Sequence, residues 1–172
     1  SSDVCSSDLL GFHDGAKKAP WSLPSKLAVF SLVTLIIQIS YGGFTAGLKA
    51  GHVSSTWPLM MGKWIPPNLF NSWINIFETP QTIVFIHRWF AWLGILLVPY
   101  VYYLIKKQNY PADIQKGLLW LTGVVGLQIT LGVLTVLLYV NIVIAIIHQA
   151  NAIVLAWWMI AIDRKSTRLN SS

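Results

Sequence analysis

Residues 80–105 read PQTIVFIHRWFAWLGILLVPYVYYLI, and apart from His87 and Arg88 this run holds no Asp, Glu, Lys, Arg or His. At 1.5 Å per residue, a helix of this length spans the roughly 30 Å hydrocarbon core of a bilayer. In lipid the backbone must satisfy its own hydrogen bonds, so the run is predicted to be a helix rather than a strand. Glu78-Thr79-Pro80 makes a good start, because proline at the first helical position gives up no needed donor. Pro99 is expected to kink the helix.

Three further apolar runs flank this one, at about 26–48, 117–138 and 141–162. The predicted fold is therefore an all-α membrane protein, with four transmembrane helices forming a bundle. The composition agrees: 55% of residues are hydrophobic and 10% charged, against about 25% charged in a soluble domain. Nine tryptophans suit two interfacial belts. The net charge of +6 does not point to nucleic acid, since the basic residues cluster at helix ends instead of lining one face.

That clustering predicts an orientation. Lys17, Lys18 and Lys26 precede the first run; Lys106, Lys107 and Lys116 lie between the second and third; Arg164 and Lys165 follow the fourth. The long 49–79 loop holds only Lys49 and Lys63. The positive-inside rule then puts both termini in the cytoplasm and the long loop outside. That loop, rich in Pro, Trp and Met, reads as a folded cap. The expected membrane is a bacterial plasma membrane, with the mitochondrial inner membrane as the alternative. Residues 1–9, which include the single Cys5, and 163–172 are polar and serine-rich and read as artefactual tails. Residues 10–25 read as a cytoplasmic lead-in, and 26–162 as the membrane domain.

The first and third runs share a pattern. Gln38-Ile39-Ser40-Tyr41-Gly42 through Leu48 aligns with Gln128-Ile129-Thr130-Leu131-Gly132 through Leu138, while Ile86-His87 matches Ile147-His148. The unit is a helical hairpin used twice, as parallel repeats about an axis along the membrane normal. The glycines would allow close helix approach.

The repeat gives the two histidines their meaning. His87 lies seven residues after Pro80 and His148 seven after Asn141, so both imidazoles are expected about 10 Å below the same membrane face. Ionisable groups inside a bilayer usually face a bundle interior or a cofactor. A matched pair on separate helices suits axial ligation of one haem iron. Interhelical hydrogen bonding by each histidine, a proton relay and a zinc site are the competing readings, the last lacking any Cys, Asp or Glu within the spans. Arg88 reads equally as a partner for a haem propionate or as a snorkelling interfacial cation. Gln38, Gln81, Gln128 and Gln149 read as interhelical hydrogen bonders; His13 and His52 lie outside the spans and take no role.

Several segments together, Ala46-Gly47-Leu48-Lys49-Ala50-Gly51, Thr56-Trp57-Pro58-Leu59-Met60, Asn75-Ile76-Phe77-Glu78, His87-Arg88 and His148-Gln149, resemble the C-terminal half of haem A synthase, the cytochrome oxidase assembly family. The resemblance covers residues 26–162. It implies half of an eight-helix protein that oxidises the methyl group of haem O to the formyl group of haem A. It further implies a bis-histidine haem B held by His87 and His148. Catalytic residues are then expected in the missing N-terminal half, which would take the substrate haem O. An electron donor, haem O synthase and oxidase assembly proteins would be its partners, besides membrane lipid. With both axial positions filled, this half is expected to transfer electrons and, alone, to be catalytically inactive. Met61-Gly62 stands where the family often has Asp-Gly, and Val84-Phe85-Ile86 where it commonly has Gln-Phe. The alternatives are a four-helix b-type cytochrome in quinone-linked electron transfer and a haem-free scaffold or transporter subunit.

Overall fold

The computed structural model describes residues 23–169, with side chains to Ala161. The tails, Cys5, His13, Lys17, Lys18, Arg164 and Lys165 therefore lie outside the described residues or side chains. Helix α1 spans Leu23–Gly47, α2 Asn75–Glu78, α3 Pro80–Lys107, α4 Ala112–Leu137 and α5 Ile142–Leu169. All but α2 are long and apolar enough to cross a membrane, with α5 qualifying over Ile142–Ala161. The chain is an all-α membrane bundle of four transmembrane helices.

The apolar runs place these helices well, and local chemistry explains the ends. Pro80 occupies the first turn of α3, with the Thr79 carbonyl accepting from the Ile83 amide. Asn141 caps α5, its Oδ1 accepting from the amides of Val143 and Ile144. Helix α4 begins at Ala112, five residues before the apolar run, because Pro111 and Asp113 start it in its polar turn. Lys116 thus sits on a helix, and only residues 108–111 connect α3 to α4. Pro99 lies within the continuous α3.

Helix α3 packs against α1 and α4, and α5 packs against the same two, so the bundle is a square with α3 and α5 on one diagonal. In lipid there is little hydrophobic drive between helices, and small residues and polar contacts decide the packing. The hydroxyls of Ser40, Thr45, Thr130 and Thr135 each donate to the carbonyl four residues earlier, which satisfies them without a partner helix. These four are two aligned pairs of the repeat. The apolar core is concentrated at one end of the bundle, where Val98, Val101, Ile105, Ile114, Leu118, Leu121 and Leu155 are buried together.

A second buried cluster, Ala50, Met60 and Val84, sits at the opposite end under the long loop. The loop is folded, as its composition predicts. A 3-10 turn spans Ala50–Val53, and Met60 and Lys63 pair backbone to backbone through a two-residue turn. Met61 and Gly62 of that turn have φ of 55° and 76°, a left-handed geometry that suits Asn-Gly or Asp-Gly and strains Met61. Further on, the buried Thr82 hydroxyl donates to the Leu69 carbonyl at 2.6 Å, tying the loop to the first turn of α3.

Candidate functional site

The two histidines meet. Their ring centroids are 6.5 Å apart with planes at 88°, on the diagonal helices α3 and α5. Two metal–imidazole bonds of about 2 Å, plus roughly 1 Å from each nitrogen to its ring centre, require about 6 Å between centroids. The observed separation fits one iron between them. A direct hydrogen bond between the rings would bring them closer.

Each histidine is held from behind by the α1 or α4 helix of its own hairpin. The His148 Nδ1 donates to the Gln128 backbone carbonyl at 3.1 Å. His87 Nδ1 lies 3.1 Å from the Gln38 side-chain Nε2, which also donates to the His87 carbonyl at 2.9 Å. With Nδ1 engaged toward α1 or α4, Nε2 of each ring is the nitrogen left for a ligand. Glycine makes this approach feasible at two positions. A Cβ on Gly42 would come 3.2 Å from His87 Cε1, and one on Gly132 would come 3.1 Å from His148 Cε1. A larger residue at either place would push the imidazole out of position.

Among the described residues, no group of three or more His, Cys, Asp or Glu side chains comes together. The pair thus offers a metal two nitrogens from protein side chains. In donor number and spacing, and in the carbonyl behind His148, the residues fit a haem.

Arg88 follows His87 on α3 and reaches the loop. Its two Nη atoms donate to the carbonyls of Thr56 at 3.0 Å and Ser54 at 2.7 Å, so it fastens the loop to α3, and its Nε is buried without a partner. Beside it lies a cavity of about 290 Å³ walled by Trp57, Trp64, Phe85, Trp89 and Trp92, on the α3 face away from His87. Of the four glutamines, Gln38 and Gln128 make interhelical bonds, Gln128 accepting from Asn151 Nδ2 at 2.7 Å. Gln81 donates to the Pro67 carbonyl in the loop, and Gln149 is exposed. His52 is exposed in the 3-10 turn. Sequence reasoning did not single out Asn151, whose only signal was its place one turn beyond His148.

Comparison with known proteins adds an independent line. The family described as cytochrome oxidase assembly protein matches residues 13–160. The chain is 43% identical over 127 residues to a haem A synthase of Wolbachia pipientis wMel, covering 72% of this chain and 34% of that protein. It is 36% identical over 138 residues to one from Bartonella tribocorum, covering 78% and 38%. A third, from Bartonella henselae, is 34% identical over 134 residues, covering 76% and 37%. The chain spans well under half the length of these relatives. No solved structure matches it.

Proposed function

The chain belongs to the cytochrome oxidase assembly protein family, and from that premise we propose that it is the cofactor-binding part of a haem A synthase. His87 and His148 would hold one haem B through their ring nitrogens. The single observation that carries this is the 6.5 Å approach of two imidazoles borne by different helices. The intact protein oxidises the methyl group of haem O to the formyl group of haem A, with substrate and catalytic residues in a further region of the chain.

When bound, such a haem supplies a one-electron couple without an open iron position, which suits electron transfer and not oxygen activation. The protein's own residues do the rest. Gln38 and the Gln128 carbonyl aim the two rings, and Gly42 and Gly132 give the rings room. Arg88 secures the covering loop over α3, and we keep a haem propionate as a second partner for its unpaired Nε. The lysine distribution supports an orientation with the loop outside and both termini in the cytoplasm.

The test is spectroscopic. Purified chain loaded with haem and reduced should give a six-coordinate low-spin spectrum that carbon monoxide does not alter. A carbon monoxide adduct would reveal an open position and reject the electron-transfer reading. Rapid reduction by a short-chain quinol would favour the quinone-linked cytochrome instead.

A further inference from the structure

Gln38 and Gln128 occupy the same place in the two copies of the repeat, yet they serve their histidines differently. An imidazole that binds iron through Nε2 carries its proton on Nδ1, and a neighbouring group must accept that proton. At His148 the acceptor is the backbone carbonyl of Gln128, 3.1 Å away. No side-chain change removes it. The Gln128 side chain is occupied elsewhere, with Asn151.

At His87 the partner is a side chain. The Gln38 Nε2 faces both the ring Nδ1 and the His87 carbonyl, while Gln38 Oε1 is buried with no partner at all. An amide nitrogen can only donate. Facing it, Nδ1 must present its lone pair, and the proton then sits on Nε2, where a ligand's lone pair is needed. The unpaired Oε1 is the complementary defect: an acceptor without a proton beside a ring that must place one. Half a turn about the Cγ–Cδ bond of Gln38 exchanges the two atoms.

We propose that Gln38 is the positioning residue that decides which nitrogen of His87 carries the proton, its amide reversing when iron binds. In the arrangement observed, the Gln38 NH2 faces Nδ1 of His87, which favours the tautomer with its proton on Nε2. In the liganded arrangement, Oε1 accepts a hydrogen bond from Nδ1–H and Nε2 is free to bind. The ring stays neutral throughout, because the proton lost from Nε2 is matched by one gained at Nδ1. The reversal gives up the 2.9 Å bond to the His87 carbonyl and requires the Gln38 side chain to shift so that Oε1 does not face that oxygen, so His87 is the more reluctant of the two ligands and the one whose donor strength can be tuned. This inference rests on the reading of His87 and His148 as ligands.

The experiment compares midpoint potentials and low-spin spectra of the haem-loaded chain and its variants. Gln38→Glu keeps an acceptor and removes the donor, strengthening His87 as a ligand. It should retain haem and favour the ferric form by at least tenfold, about 59 mV for a one-electron couple. Gln38→Leu removes the acceptor and should shift the potential the opposite way, or lose haem that Gln38→Glu retains. Gln128→Leu should shift it less than either, because the His148 partner is backbone. Unchanged potentials and spectra in both Gln38 variants would overturn the proposal, as would loss of haem from both. If the parent chain itself holds no low-spin haem, the underlying ligand reading fails first, and that is visible before any variant is made.

Discussion

The α1–α3 hairpin and the α4–α5 hairpin build the same half-site with unequal surroundings. Each presents a histidine, a glycine against its Cε1, and a contact to Nδ1 from the position four residues before that glycine. In the second hairpin the contact is a backbone carbonyl, and the turn between helices is only residues 138–141, with Tyr139 and Val140 both left-handed at φ 53° and 59°. In the first hairpin the contact is a side-chain amide, and the helices are joined by a folded loop that Arg88 fastens down. The loop even reaches the other copy, since a Cβ on Gly51 would come 3.0 Å from Val140 Cγ2. Equivalent backbone placement therefore fixes where the two rings meet, while the side chains behind them are free to differ in what they ask of each ring.

The largest expected effect breaks the pair itself. His87→Ala or His148→Ala should each remove the low-spin signature and lower haem content at least tenfold, read from the absorbance of protein purified at equal yield. Two ligands acting together make the losses alike. A variant that kept its full low-spin spectrum would show that its histidine binds no iron.

Next come the glycines, where the two copies should respond in parallel. Gly42→Leu and Gly132→Leu each drive side-chain atoms into an imidazole already in close contact, so haem content should fall severalfold in both. A loss confined to one copy would mean that the other histidine has slack that the geometry does not provide.

The outer loop separates the copies. Arg88→Ala removes two charge-assisted hydrogen bonds and should lower stability by about 2 kcal/mol, seen as faster proteolysis of the 49–79 loop. Unaltered proteolysis would show that the loop is held without Arg88, by its buried Ala50, Met60 and Leu69 and by the bonds of Gln81 and Thr82. The smallest effect should come from Met61→Asn, which relieves a left-handed residue and should raise stability by about 1 kcal/mol, measured as a higher melting temperature in detergent.

How much of this was legible in the sequence follows from what periodicity and length encode. The four spans could be read because a bilayer demands length and apolarity, and Pro80 and Asn141 mark their starts. That His87 and His148 could approach one another was suggested by counting residues from those starts. The Gln–Gly register was visible as a repeat, but its meaning was not: one-dimensional spacing cannot show which face of α1 looks at α3. For the same reason Asn151 carried no signal, and nothing in the spacing of Arg88 pointed to the loop carbonyls it holds. The early start of α4 was missed because a polar first turn lies beyond the apolar run.

The central claim is that two imidazoles share one iron. Low-temperature electron paramagnetic resonance of the oxidised, haem-loaded chain, with haem and protein quantified in the same sample, tests it most directly. One haem per chain with a purely low-spin ferric signal is the predicted result. A high-spin signal at that stoichiometry, or no haem retained by folded protein, would contradict it.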